Sequence, residues 1–293
     1  MFNEKKYVRT DLALEFDGAD STDSKGLDVS REDVKGFEVT RVTVSSEDRA
    51  RLLGKPVGRY INVSIGKLWL DSDTRFETAA EVISAELKKL CRAILPSVRS
   101  VLTVGLGNRD IVSDALGPLT VKGITVTRHV EGADPMLFDA LGGASLSALA
   151  PGVTGQTGFE AAELVKCAVS SATPSRVICV DALAAKDPLK LGTAVQLSDT
   201  GIAPGSGIGN GRLPIDRSTL GVPVISLGVP MVVDSSTLVC NMLERAGING
   251  IPPSLERELE NGKSFFVTLK DADTVVNELS RLIGTAIVSS FPL

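Results

Sequence analysis

Ser175-Arg-Val-Ile-Cys-Val-Asp-Ala-Leu-Ala-Ala185 is the stretch that decides the fold class. Four apolar residues, Val177 to Val180, run without interruption into Asp181. Strict alternation would mark a strand with one wet face. An unbroken run marks a strand buried on both faces, the setting of a parallel sheet covered by helices. Ser97-Val-Arg-Ser-Val-Leu-Thr-Val-Gly-Leu-Gly107 has the same character and runs into a glycine-rich turn. Around these strands, apolar residues recur at helical spacing. One such helix covers 73–95, with Phe76, Ala79, Ala80, Ile83, Leu87 and Leu90 on one face and Pro96 as a stop. Others are expected at 159–172, at 232–247 and over roughly 271–290, the last burying Ala272, Val275, Val276, Leu279, Leu282 and Ile283. Further strands are expected at 37–44, 60–66, 123–130, 193–199 and 222–230, with a short helix around 45–54. Residues 1–35 are polar and lack periodicity, which predicts a mobile N-terminal segment. Strands alternating with helices predict a single α/β domain, a twisted and mainly parallel sheet flanked by helices on both faces.

Aromatic residues are only 4% of the 293, so the core must be built from Val, Ile, Leu and Ala. A net charge of −5 argues against sequence-independent nucleic-acid binding, which needs a basic face. The four cysteines form no C-x-x-C pair, and Cys167 and Cys179 sit inside apolar runs, where a free thiol packs as a small hydrophobe. That usage suits a reducing compartment. The first twenty residues lack the apolar core of a signal peptide, and no window approaches the roughly 18 apolar residues of a membrane span. A soluble protein inside the cell, without a membrane partner, is therefore expected. His129 is the chain's one histidine. Zinc sites built on two or three histidines are excluded, and a serine or cysteine protease would have to use His129 as its base. It lies in Ile124-Thr-Val-Thr-Arg-His-Val130, whose alternation reads as a strand.

Two acidic residues stand where parallel strands end. The first strand closes in Val104-Gly-Leu-Gly-Asn108, followed by Asp114-Ala-Leu-Gly-Pro118; the second ends in Asp181. Open α/β sheets bind ligands outside the carboxyl ends of their strands, so Asp114 and Asp181 can converge on one water molecule. Two close carboxyl groups do not both ionise cheaply. One keeps its proton while the other accepts one, which supplies an acid and a base without histidine. Other readings stay open: Asp114 as the N-cap of a helix beginning at Ala115, and Asp181 as a strand-end Asx turn. A third stretch, Ser198 to Gly211, is dense in glycine and reads as a loop passing close to a substrate or another subunit. It lacks the G-K-[S/T] of a P-loop and the G-x-G-x-x-G of a dinucleotide site.

At these residues the sequence resembles the germination protease family. The matching stretches are Arg9-Thr-Asp-Leu-Ala-Leu-Glu15, Gly107-Asn108, Asp114-Ala-Leu-Gly-Pro118, Pro151-Gly-Val-Thr-Gly-Gln-Thr-Gly158, Val180-Asp-Ala-Leu-Ala-Ala185, Gln196-Leu-Ser-Asp-Thr-Gly201, Pro204-Gly-Ser-Gly207 and Gly228-Val-Pro-Met-Val-Val-Asp234. They follow the family's order over residues 9–240, while 241–270 look shorter than the usual family segment. The resemblance implies an endopeptidase that begins the degradation of small acid-soluble spore proteins during spore germination, cutting after Glu and before an apolar residue. It implies a fold like that of the hydrogenase maturation endopeptidases, a homotetramer in the cytoplasm of the forespore and spore core, and Asp114 and Asp181 as the catalytic pair. Gly107, Asn108, Asp199, Gly205 and Gly207 would bind substrate or support the site. The related maturation enzymes bind nickel through acidic residues and a histidine; no histidine stands in a matching position here, so no metal and no cofactor is expected. The zymogen logic of the family makes residues 1–15 a propeptide, cut between Glu15 and Phe16, and 16–293 the peptidase domain. Lys122, Arg128, Lys186 and Arg212 lie near the expected site loops as candidates for selecting Glu. Two rival functions remain: a metal-assisted hydrolase using the same carboxylates, and a non-catalytic α/β ligand-binding protein.

Overall fold

Val177, Ile178, Cys179 and Val180 are all fully buried, and their side chains point alternately into two different apolar cores. This is the period of two of a strand with both faces covered. The computed structural model describes residues 7–15, 26–95, 99–141, 143–209, 211–248, 250–261 and 265–291. Within them, one sheet of nine strands is built from β1 (Leu27–Val34), β2 (Phe37–Val44), β3 (Gly58–Ser64), β4 (Ser100–Gly105), β5 (Ser145–Leu149), β6 (Arg176–Ala184), β7 (Ala194–Ser198), β8 (Val224–Asp234) and β9 (Phe266–Val267). The spatial order is β1-β2-β3-β7-β8-β6-β4-β5, and β9 pairs separately with β8. The helices are α1 (Glu47–Leu53), α2 (Asp73–Ile94), α3 (Leu116–Lys122), α4 (Arg128–Ala133), α5 (Pro135–Leu141), α6 (Thr154–Thr157), α7 (Ala161–Ala172), α8 (Arg217–Leu220), α9 (Ser235–Arg245), α10 (Pro253–Asn261) and α11 (Ala272–Ser290).

The α/β class and the helices on both faces agree with the sequence reading; the sheet itself is mixed. Strands β5, β4, β6 and β8 are mutually parallel, and this is the part that carries Asp181. The remaining pairings, from β8 through β7 and β3 to β1, are antiparallel. One face packs α2, α3 and α11 on Ile178, Val180, Ile225 and Leu227; the other packs α7 and α8 on Leu102, Val104, Val177 and Cys179. From β4 the chain crosses to β5 on one side, then returns to β6 on the other. The carboxyl ends of β4 and β6 thus flank a topological switch point, where such sheets open a crevice.

Three local expectations are corrected. Residues 123–130 form no strand: α3 ends there, and Thr127 is buried because its hydroxyl donates to the Ala144 carbonyl at 3.0 Å and accepts from the Leu146 amide at 2.9 Å. The neighbouring sheet position belongs to β5, and His129 is exposed on α4. Within residues 1–35, β1 is an ordered edge strand joined to β2 by Lys35-Gly36, both at positive φ, and residues 7–15 are packed on the domain. Cys167 is exposed, whereas Cys91, Cys179 and Cys240 are buried.

β2 is tied to α2 through Glu86, whose side chain is 1% exposed. Arg41 donates to both of its oxygens, at 2.9 and 2.7 Å, and Lys89 adds a third bond at 2.7 Å. Burial alone would raise the carboxyl's pKa, but the bonds from Arg41 and Lys89 hold it below the usual range. Glu86→Ala removes these charge-assisted bonds but leaves Arg41 partly exposed and still paired with Glu32 at 2.9 Å, so it should cost about 2 kcal/mol in a urea titration. Because the folded-state pKa is depressed, the carboxylate's contribution is present above the unfolded-state value, about 4.3. It is lost as pH falls further, and the gap between wild type and variant should close over that range.

Candidate active site

β4 does not stop pairing with β6 at its last residue. The Leu106 amide donates to the Val180 carbonyl at 2.8 Å, and the chain then turns at Gly107, at φ +110. A Cβ on Gly107 would stand 2.1 Å from the Asp114 carbonyl oxygen and 2.9 Å from its Oδ1. A Cβ on Gly117 would meet the carbonyl oxygens of Leu106 at 2.3 Å and Val180 at 2.5 Å. Glycine at these two positions lets the 105–117 loop fold flat against the end of β6. The Asn108 amide closes the loop, donating to Asp114 Oδ2 at 2.7 Å. The Asn108 side chain is fixed in turn by Gln156, whose Nε2 donates to Oδ1 at 2.9 Å. Asp114 ends a 3-10 turn, Val112–Asp114, and Ala115 rather than Asp114 occupies the N-cap of α3. The capping alternative is thereby set aside.

Asp181 lies within β6, opposite Gly228 of β8, and the strand continues three residues beyond it. It is buried, and its Oδ1 accepts the Ala182 amide at 2.9 Å. Burial first, and then the charges of Asp114 and Asp11, push its carboxyl well above the usual range. Asp114 is raised too, by burial, but the Asn108 amide works against the shift. Each carboxyl is raised by burial against one backbone amide, and Asp181 also faces two other acids, the setting in which a carboxyl pair comes to share one proton.

Both carboxyls line one cavity of about 360 Å³ at the switch point. Gly107, Asn108, Gly205 and Gly207 line it as well. Asp199 does not. Arg59 donates to it from both its backbone amide and Nε, each at 2.7 Å, so Asp199 ties the end of β7 to β3 and reaches the cavity only through that scaffold. Of the four candidate cations, Arg212 alone lines the cavity, paired with Glu160 at 3.1 Å. Lys122 faces a separate cleft beside α11, Arg128 donates to the Ser171 carbonyl, and Lys186 pairs with Glu244. His129 is off the cavity, and among the described residues no group of three or more His, Cys, Asp or Glu side chains is arranged to hold a metal ion. No helix among them is long and apolar enough to cross a membrane. Ile111, Leu213 and Phe266, all exposed, add apolar surface to the lining.

Sequence reasoning missed Asp11, which joins Asp114, Asp181 and the Arg212-paired Glu160 in the cavity lining. The Asp11 carboxylate accepts the Ala184 amide at 2.9 Å and the Ser206 hydroxyl at 3.0 Å. The only local signal was Asp11-Leu-Ala-Leu-Glu15 itself, an apolar run between acids in a polar stretch. Glu15 is described and its side chain is buried; Phe16 lies outside the described residues.

The sequence profile of the germination protease family matches residues 9–246. A germination protease of Caldanaerobacter subterraneus is 42% identical over 240 residues, covering 81% of this chain and 72% of the relative. One from Clostridium perfringens is 35% identical over 271 residues, 91% of this chain and 81% of the relative. The Bacillus subtilis protein is 37% identical over 245 residues, 81% of this chain and 66% of its own length. Among solved structures, a [NiFe] hydrogenase maturation protease, HycI from Thermococcus kodakarensis, aligns with 97% of its chain and 66% of this one, at 15% identity and a TM-score of 0.33, too slight a likeness to bear on the site.

Buried carboxyls at a switch point carry a cost that can be measured. A carboxyl with a raised folded-state pKa favours the fold only while protonated; that contribution is complete below the unfolded-state pKa and lost as pH rises through the folded-state one. At neutral pH, Asp181→Asn, neutral and of the same shape, should therefore raise the melting temperature by at least about 2 °C. The gain should vanish below about pH 4, where wild-type Asp181 is protonated in both states. A melting temperature that falls at neutral pH would contradict the assigned environment.

Proposed function

The chain belongs to the germination protease family, and on that footing we propose that it is an aspartic-type endopeptidase, made as a zymogen, that begins the degradation of small acid-soluble spore proteins. The observation supporting this reading is the meeting of Asp114 and Asp181 in one cavity, away from the only histidine. Each carboxyl accepts one backbone amide; Asp181, buried and facing the charges of Asp114 and Asp11, is assigned to keep its proton, and Asp114, half-buried, to give it up. A water molecule between them attacks the peptide carbonyl carbon and loses a proton to Asp114, while Asp181 protonates the carbonyl oxygen. On collapse, the amine leaves with the proton from Asp114, and Asp181 recovers its own. Each transfer is general acid or base catalysis worth about 10²–10⁴ in rate. The bond cut follows Glu and precedes an apolar residue, which the exposed Ile111, Leu213 and Phe266 of the lining can receive. Gly107, Asn108, Gly205 and Gly207 shape the site.

Residues 1–15 are the propeptide in this reading and 16–293 the peptidase domain, with processing between Glu15 and Phe16. Asp11 beside the pair makes low activity of the unprocessed chain intelligible, since it adds a negative charge where only one is wanted. The protein works as a homotetramer in the spore core, without a metal or cofactor.

Incubation of the purified chain with a small acid-soluble spore protein, with cuts mapped by mass spectrometry, tests this directly. Cuts after Glu should appear and persist in EDTA, and self-processing at mildly acidic pH should expose a new terminus at Phe16. Asp114→Asn and Asp181→Asn should each reduce cleavage by about 10³ or more, with the double variant little worse, because the two act as one unit. Near-normal turnover in either single variant would sink the pairing. Loss of cleavage in EDTA, restored by one divalent ion, would move the site to the metal-assisted class.

A further inference from the structure

Residues 11–15 lie on the domain as a bound peptide would. The Asp11 amide donates to the Ala184 carbonyl at 2.9 Å, while its carboxylate accepts the Ala184 amide at 2.9 Å. The side-chain amide of Gln196 grips two backbone groups at once, donating to the Asp11 carbonyl at 2.9 Å and accepting the Ala13 amide at 2.7 Å. Glu15 accepts the backbone amides of Lys186 at 2.6 Å and Asp187 at 2.9 Å, receives the Thr10 hydroxyl, and has Lys190 Nζ at 3.6 Å. Its side chain is 3% exposed. Between the two acids, Leu12 is buried among Leu183, Ala185, Leu191 and Val233. Gly207 makes room for the Asp11 carboxylate, since a Cβ there would stand 2.1 Å from Oδ2.

The strip that receives this segment is built for alternation. The Ala185 amide bonds inward to Val232 of β8, while Ala184 and Lys186 on either side turn their amides outward to the two carboxylates. A strand end normally offers such groups to a neighbouring strand or to water; here they are matched to carboxylates four residues apart. Gln196 recognises backbone and is indifferent to side chains. The acid receptors and the apolar socket for Leu12 supply the selectivity.

We propose that residues 184–187 with Gln196 and Lys190 form a peptide-recognition site for a segment carrying carboxylates at positions i and i+4 with an apolar residue after the first. Residues 11–15 occupy it in the unprocessed chain, and a substrate segment of the same pattern takes it once they are displaced. The word substrate rests on the proteolytic reading; the binding site does not.

The test is a binding titration that involves no cleavage. A fluorescein-labelled peptide, Tyr7-Val-Arg-Thr-Asp-Leu-Ala-Leu-Glu15, ends before the bond to be cut, and its anisotropy is followed as full-length protein is added. In wild type the tethered segment competes at an effective concentration of about millimolar, so binding should be weak. In full-length Asp11→Asn/Glu15→Gln, whose own segment has lost both acids, binding should be at least about tenfold tighter. Gln196→Ala in that background should weaken it again. Lys190→Met, at a more exposed position, should weaken it to a smaller extent and keeps the test decisive if the Gln196 variant melts early. An unlabelled peptide with Asn and Gln at the two acidic positions should not compete. Equal binding by wild type and the double variant, or full competition by the acid-free peptide, would overturn the proposal. A protein that binds the peptide in this way yet cuts nothing would leave it standing and remove the proteolytic reading instead.

Discussion

The site hangs on how closely β4 and β6 approach beyond the point where β4 ends. The Leu106 amide reaches the Val180 carbonyl at 2.8 Å, and Gly117 lies against both residues with no room for a side chain. That contact fixes the register Gly105 to Val180 and brings the loop bearing Asp114 over the end of β6. Register matters because strand side chains alternate: a slip of one residue would turn Asp181 from the cavity into an apolar core. The flanking residues enforce the choice. Val177 and Cys179 fill one core, Ile178 and Val180 the other, and neither could trade places with a carboxylate at tolerable cost.

Against this frame the carboxyls are the expensive part of the molecule. Asp181 is buried with one backbone amide as its partner, near two other acids. The scaffold that sustains this is ordinary: two layers of aliphatic packing and a helix pair, α2 and α11, lying side by side on one face. Its firmest polar tie, Arg41 to Glu86, stands outside the cavity lining, as does the Arg59 to Asp199 clamp. The acids of these two ties are paired with arginine, whereas Asp114 and Asp181 each have one backbone amide and are raised toward the protonated form. That division is the usual signature of a region set aside for chemistry.

What could be read from the chain alone follows the range of the forces involved. Buried strands and amphipathic helices announce themselves through local periodicity, and β4, β6, α2 and α11 were legible for that reason. β1 was not, because it is an edge strand with both faces largely wet and carries no hydrophobic pattern to read. Residues 123–130 misled because Thr127 is buried by its hydrogen bonds to residues 17 and 19 positions away rather than by a strand's apolar face. Asp114 was legible as an acid just beyond a strand and Asp181 as the acid that follows a buried apolar run, although β6 continues past it to Ala184. Asp199 looked the same, but its role is set by Arg59, 140 residues away. Asp11 escaped notice, and Glu15 was read only as the residue before a cut, for the same cause: their partners in 184–187 are 171 to 173 residues distant. Nothing local distinguishes an acid that meets such a partner from one that meets water.

β1 has a consequence for how copies of this chain can meet. It closes one border of the sheet with Asp28, Arg31, Glu32 and Asp33 exposed along a strand of eight residues. The outer backbone of an edge strand is otherwise a template for another molecule's strand. Desolvating that row of charges makes sheet-to-sheet continuation unfavourable there. Copies of the chain are thus kept from joining strand to strand along this border.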